Sequence, residues 1–201
     1  MGKLVELMTP LHKATKRDYL ARMNDDKVFC MRKAKEYEFD YWDGDRRFGY
    51  GGYKYDGRWK PIAEKLIQMY NLTPDARILD IGCGKAHLLY ELRKLLPHSR
   101  LRGMDISLYG LSNAPTEIKP VLLLHRIELP LTIPDKCFDL VICMMTLHNL
   151  KLPDLAVAIP EIERLGHNKY IYHEAYRNEQ EQFNLECWAL TAETILDDQS
   201  W

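Results

Sequence analysis

Ala76-Arg77-Ile78-Leu79-Asp80-Ile81-Gly82-Cys83-Gly84-Lys85-Ala86-His87-Leu88-Leu89 reads as a buried strand, a glycine turn and a helix. Ile78, Leu79 and Ile81 form a short apolar run with an acid set into it, which suits a strand covered on both faces. Gly82 and Gly84 allow dihedrals and a close backbone approach that a Cβ would block. Leu88, Leu89, Leu92, Leu95 and Leu96 then fall on one side of a helix. Its N-terminus offers free N–H groups and the positive end of a dipole, where a polar or negative ligand group can dock. A dinucleotide site wants G-x-G-x-x-G, with a third glycine for close helix–strand packing. His87 occupies that place, so NAD and FAD are disfavoured.

Two further stretches follow at strand spacing. Leu101-Arg102-Gly103-Met104-Asp105-Ile106-Ser107 ends a second strand on Asp105, about 20 residues past the glycines, where an acid can bind ribose hydroxyls. Phe138 to Leu150 is an apolar run that finishes on polar groups. The pattern Asp80-x-Gly82-x-Gly84 resembles motif I of the class I S-adenosylmethionine (SAM) methyltransferases, with Ala86 where that family usually has a third glycine. In that family the F-D-L-V run opens the fourth strand and its far end lines the cofactor. The resemblance implies SAM as cofactor. It implies Asp80, Gly82, Cys83 and Gly84 around the methionyl part, Asp105 and Ile106 at the ribose, and Met144 along the wall. The family's acid near adenine falls in His125-Arg126-Ile127-Glu128, where Glu128 is the candidate.

The predicted fold is therefore α/β: a Rossmann-like class I methyltransferase fold with a mostly parallel sheet. Residues 1–59 form a helical N-terminal extension with a Gly/aromatic loop, and residues 60–201 the SAM-binding domain. The family usually adds two strands after the last helix. The sequence leaves no room for them before Trp201, so the sheet is expected to lack them. An open edge invites pairing, so the extension or a second copy of the chain is expected to cover it.

Composition excludes several partners. With 46% hydrophobic residues the 201-residue chain can bury a core, and a net charge of -1 gives no global field for nucleic acid or an anionic membrane. Five cysteines without C-x-x-C point to free thiols in a reducing, cytoplasmic setting. No Cys/His pair has zinc spacing, so no metal is expected. No apolar stretch reaches the ~18 residues of a membrane span.

Ala14, Tyr19, Leu20, Met23, Val28 and Met31 give the extension a loose helical period. It reads either as a cap on the domain edge or as a lid. Residues 39–59 hold five glycines and eight aromatics. That density forbids a regular helix, and so many rings would be costly if left in water. The loop is either a ring-packed Ω-loop or a wall of the transfer site, with Tyr50, Tyr53 and Tyr55 facing a sulfonium cation. Arg46, Arg47 and Arg58 could clamp a carboxylate or phosphate, on an acceptor or on the cofactor.

Residues 60–72 should be a helix with Ile62, Leu66, Ile67 and Tyr70 on the core side, and Leu111 to Ile118 a short helix broken by Pro115. Val121 to Leu124 should be the third strand. Pro153 to Leu165 is predicted as a helix kinked or broken at Pro160. Lys169 to Glu174 reads as the fifth strand, and Glu179 to Leu196 as a helix burying Phe183, Trp188 and Leu190.

The runs from Tyr41 to Trp59, Thr146 to Leu150 and Tyr176 to Glu179 resemble small bacterial class I methyltransferases linked to surface-polysaccharide or nucleotide-sugar loci. That resemblance implies methyl transfer to an O or N atom of a small acceptor, with a sugar or nucleotide-sugar as the candidate class. A non-catalytic SAM-binding module and a macromolecular acceptor remain alternatives. Transfer from a sulfonium needs alignment and desolvation, and a hydroxyl acceptor also gains from a base. His148, at the end of strand four, is the first candidate; His173 and Glu174, at the end of strand five, come next, with Tyr50 from the loop.

Overall fold

The computed structural model describes residues 3–14 and 16–201; Met1, Gly2 and Thr15, counted above in the extension, lie outside the described residues. The extension is broken into α1 (Pro10–Lys13), α2 (Tyr19–Asn24), α3 (Lys27–Ala34) and α4 (Phe39–Trp42). After the loop come α5 (Lys60–Tyr70), β1 (Arg77–Ile81), α6 (His87–Leu95), β2 (Arg100–Asp105), α7 (Leu108–Ser112) and β3 (Leu122–Leu124). The chain continues with β4 (Phe138–Met144), α8 (Leu152–Leu165), β5 (Gly166–Tyr172) and α9 (Glu179–Trp188).

The five strands form one sheet in the order β3-β2-β1-β4-β5, and every pairing is parallel. This is the Rossmann-like fold of the class I methyltransferases, and among the described residues no strand of the sheet follows β5. Register places Ile81 opposite Met104 and Cys143, and Met144 opposite Tyr172. The carboxyl ends of β1, β2 and β4 are thus level, and the segments leaving them open onto one rim.

Side-chain alternation fills two core layers. Ile78, Leu140 and Ile142 point toward α5 and α6, where Ile62, Leu66, Leu89 and Leu92 are buried. Leu79, Ile81, Val141 and Cys143 point the other way, onto Leu155, Ala158, Ile162 and Leu165 of α8. Each buried leucine, isoleucine or valine among them contributes about 1.5–3 kcal/mol. Leu7 of the extension enters the first layer with Tyr170 of β5, so residues before α2 complete the core.

Several expectations are corrected. Leu20, Met23 and Val28 are exposed; the extension buries Arg22, Cys30 and Ala34 instead. α7 starts earlier than the periodicity suggests, because the Ser107 hydroxyl accepts the Gly110 N–H at 2.8 Å and caps it. β3 is an edge strand whose Leu123 and Leu124 are half-exposed. α8 runs unbroken through Pro160. That residue and Ala156 lie on the solvent face, where the carbonyl deprived of its partner can meet water. α9 stops at Trp188 rather than Leu196. Beyond it, the Glu193 and Thr194 N–H groups donate to the His148 carbonyl at 2.9 and 3.0 Å, and tertiary bonds replace helical ones. Phe183 is exposed and Trp188 half-buried, while Leu190 is buried as expected.

Candidate active site

The glycine turn is shaped by its contacts. Gly82 and Gly84 have φ of +72° and +56°, where L side chains are strained. A Cβ on Gly82 would meet the Thr146 hydroxyl oxygen at 1.9 Å, and one on Gly84 would meet the Trp42 ring at 2.6 Å. Ala86, in the place of the family's third glycine, keeps a φ of +55° despite its Cβ, at a cost of about 1–2 kcal/mol.

Three of the turn's amides are taken up within the protein. Gly82 and Cys83 N–H both donate to the Met104 carbonyl, at 2.8 and 3.1 Å. Gly84 N–H donates to Asp105 Oδ2 at 2.7 Å, and Ser107 N–H to Asp105 Oδ1 at 2.7 Å. The Asp105 carboxylate is therefore fixed in position at the end of β2. Burial raises its pKa, with the two amides pulling against that rise.

The loop of residues 39–59 folds back over the turn. Lys85 Nζ lies 2.6 and 2.7 Å from the Asp43 oxygens and donates to the Tyr53 carbonyl at 3.0 Å. Asp43 also accepts from the Tyr109 hydroxyl at 2.9 Å and the Tyr53 N–H at 3.1 Å. Burial pushes the Asp43 carboxyl up, but these bonds outweigh it and hold the group below its usual range. Trp42 Nε1 is shared between Ser107 Oγ at 2.8 Å and the Tyr37 carbonyl at 3.0 Å. The Trp42 and Tyr50 rings stack at 5.4 Å.

Beneath this cover is a cavity of about 290 Å³ at the carboxyl rim. Its wall takes Gly82 and Asp105 from the sheet ends, Ile106 and Ile127 as apolar surface, and Trp42 and Tyr50 as rings. Met144 and Glu128 also line it. Arg126 pairs with Glu128 there. Tyr50 lines the cavity with 41% of its surface accessible, and desolvation raises its phenol pKa.

The other candidates stand elsewhere. Asp80 is buried, outside the wall, and burial together with the nearby Asp105 charge raises its pKa to about 8. The Cys83 side chain packs into the core, not the cavity. Tyr53 stacks on His87 at 5.0 Å, covering the start of α6, and Tyr55 pairs with Glu91. Arg58 is held by Asp56 at 2.6 Å and Arg47 by Asp25 at 2.7 Å. His148, His173 and Glu174 lie close enough to act on one another, yet none lines the cavity. His148 Nδ1 and His173 Nδ1 are buried without a hydrogen-bond partner. Burial lowers the His148 pKa to about 4. Glu174 accepts from Arg17 at 2.9 Å.

Sequence reasoning missed Thr146, Asn149, Thr191, Glu193 and Lys35, all on the wall. Lys35 and Glu193 pair on the wall at 2.6 Å. Nothing local marks that pair. Tyr41 and Trp42 were legible only as members of the aromatic loop.

The fold and the position of the cavity define a Rossmann-like protein of the class I methyltransferase architecture. Residues 79–169 match a family described as a methyltransferase domain. That span runs from β1 into β5 and holds the glycine turn, Asp105 and Met144. No curated protein matches the chain in sequence. Among solved structures, a provisionally assigned SAM-dependent methyltransferase from Methanococcus maripaludis is 22% identical, with a TM-score of 0.50 over 64% of this chain and 61% of its own. The YcgJ protein from Bacillus subtilis is 18% identical, with a TM-score of 0.52 over 69% and 63%. The plantazolicin methyltransferase BpumL, solved with a desmethyl substrate analog and S-adenosylhomocysteine (SAH), is 15% identical, with a TM-score of 0.54 over 86% and 73%. The chain thus spans about three fifths of the length of the first two. Among the described residues no helix is long and apolar enough to cross a membrane.

Proposed function

We propose that this chain is a SAM-dependent methyltransferase acting on an O or N atom of a small-molecule acceptor. The observation that carries the reading is the coincidence of three things. The cavity sits at the carboxyl rim, Asp105 is fixed on its wall, and both lie within the stretch that matches a methyltransferase domain. The lining suits the cofactor's parts. Asp105 retains lone pairs for ribose hydroxyls, as charge-assisted bonds. Ile106 and Ile127 offer apolar surface to a base. Asn149 Oδ1 is buried with no partner and can accept from an ammonium. Trp42 and Tyr50 present ring faces, which attract a sulfonium.

SAM supplies a methyl group on a positively charged sulfur. The chain's own contribution is alignment and the exclusion of water. The raised pKa of Tyr50 keeps its phenol protonated at neutral pH, so it donates rather than accepts a proton. Among the proton acceptors expected from the sequence, none of which lines the cavity, His148 is the one left for a methyl acceptor held beside that wall. It is neutral at pH 7 and its Nδ1 is uncommitted, whereas Glu174 is engaged by Arg17. The resemblance to enzymes of surface-polysaccharide and nucleotide-sugar loci points toward a sugar-type acceptor. The five free cysteines suit a cytoplasmic setting.

Calorimetry with SAM and SAH, followed by transfer of labelled methyl from SAM into sugar, amino-acid and nucleotide pools, tests the reading. Absence of heat with both ligands would remove it. His148→Ala should leave SAH affinity intact and slow turnover about 100-fold if the imidazole is the base; unchanged turnover assigns it to structure.

A further inference from the structure

Three arginines converge on one indole beside the cavity. The guanidinium carbons of Arg17, Arg22 and Arg46 lie 5.3, 4.7 and 5.2 Å from the Trp188 ring centre. Arg22 is buried and locked, donating to the Arg47 carbonyl at 2.6 Å and the Arg46 carbonyl at 3.1 Å. Lys27 adds a fourth cation next to it, with the Cys187 carbonyl as acceptor at 2.6 Å. The carboxylate bound to this group is Glu174, on Arg17. Asp25 is taken by Arg47, and Asp18 and Asp45, next to Arg17 and Arg46 in the chain, accept the backbone N–H groups of Ala21 and Arg47. Among the described residues Arg46 donates to a neutral acceptor, the Gly49 carbonyl. Burial and the neighbouring positive charge hold Arg22 and Arg46 below their ordinary values.

The cluster adjoins the cavity on two chain segments. Arg46 is four residues before Tyr50, and Trp188 three before Thr191; Tyr50 and Thr191 both line the wall. Arg46 and Glu174 both act electrostatically on the Tyr50 phenol. Arg17 and Arg46 are also the exposed members, while Arg22 is the buried brace. An excess of cations braced on an aromatic face, open to solvent on one side, is what an oxyanion ligand completes. Guanidinium forks match carboxylate and phosphate geometry.

We propose that Arg17 and Arg46, braced by Trp188 and Arg22, form a seat for a carboxylate or phosphate carried by the methyl acceptor. The identification of the ligand as the acceptor rests on the methyltransferase reading; the anion seat itself does not. Arg47 and Arg58 do not pack on Trp188 and have no part in it; Arg17 takes the ligand in exchange for, or alongside, Glu174.

The test titrates the full chain with inorganic phosphate and, separately, with acetate, at constant ionic strength, reading the ¹⁵N signals of the arginine side chains. SAH affinity is measured on the same samples. Saturable shifts with a dissociation constant of about 1–10 mM are expected, weakened about fivefold or more in Arg46→Gln and in Arg17→Gln. The tighter anion tells phosphate from carboxylate. Arg22, the residue that holds the loop backbone, is left untouched in both variants. Linear, unsaturable shifts, or equal affinities in wild type and both variants, would overturn the seat. Absence of SAH binding in the wild type would strike the methyltransferase reading and leave the anion result standing.

Discussion

Asp80→Asn should stabilise the protein while weakening its hold on SAM. Asp80 is 4% exposed near the carboxyl end of β1, and its pKa is raised to about 8 by burial and by the Asp105 charge. In the unfolded chain an aspartate titrates near 3.9. Between those values the unfolded chain releases the proton and the folded one keeps it, so folding becomes less favourable as pH rises from about 4 to about 8. At pH 7 the linkage amounts to about 4 kcal/mol at most. Asparagine removes it, at the cost of one extra buried donor, about 1–3 kcal/mol. The net expectation is a gain of about 1–3 kcal/mol at pH 7, shrinking by about 1.4 kcal/mol per pH unit on the way down to pH 5. Urea unfolding of both proteins at pH 5, 6, 7 and 8 measures it, because every other group is common to the pair. Curves that stay parallel across that range would refute the reasoning. A cationic ligand favours the ionised carboxylate, so the same variant should bind SAM more weakly, by a margin that calorimetry resolves at pH 7.

Gly82→Ala should cost about 2–4 kcal/mol, combining left-handed strain with the collision against Thr146; adding Thr146→Gly should recover part of that, and a double-mutant cycle with no coupling would exclude the contact as the cause. Asp43→Ala leaves the buried Lys85 ammonium without its carboxylate and should cost about 3–5 kcal/mol in chemical denaturation, whereas a change under 1 kcal/mol would show the clamp to be passive. The folded-state pKa of Asp43 lies below its unfolded value, so its contribution is complete above about pH 4 and lost as pH falls through the folded value; an acid-unfolding midpoint unchanged by Asp43→Asn would contradict this. Asp105→Ala should abolish SAM binding in calorimetry, and undiminished affinity would take Asp105 off the cofactor.

The sheet was legible because its signals are local. The run Ile78 to Ile81, the acid at 105 and the run from Phe138 each carry their periodicity within a few residues, and two glycines with positive φ close the turn between β1 and α6. The cover over that turn was not legible. Its bonds join residues far apart in the chain: Lys85 to Asp43, Trp42 to Ser107, Lys35 to Glu193. The aromatic content of residues 39–59 announced that the loop must pack. It could not say that Trp42 and Tyr50, rather than Tyr53 and Tyr55, would reach the wall. The same limit applies to the arginines. Arg46, Arg47 and Arg58 are equivalent in the sequence, and the partners Asp25 and Asp56 separate the two that are neutralised from the one that is not.

Those long-range bonds also couple cover and floor. Asp105 is held by the Gly84 and Ser107 amides, Ser107 is bonded to Trp42, and Trp42 rests on Gly84. The extension therefore contributes to the position of the carboxylate expected to bind ribose. Loosening α4 should disturb cofactor binding even with every residue of the sheet intact. Ser107→Ala is the narrowest way to ask this, since it removes one hydroxyl that serves Trp42, the Tyr37 carbonyl and the cap of α7 together. Loss of those bonds should cost about 1–3 kcal/mol of stability. SAH affinity should fall with it if floor and cover act as one body, and an affinity that holds while stability drops would show them to be separable.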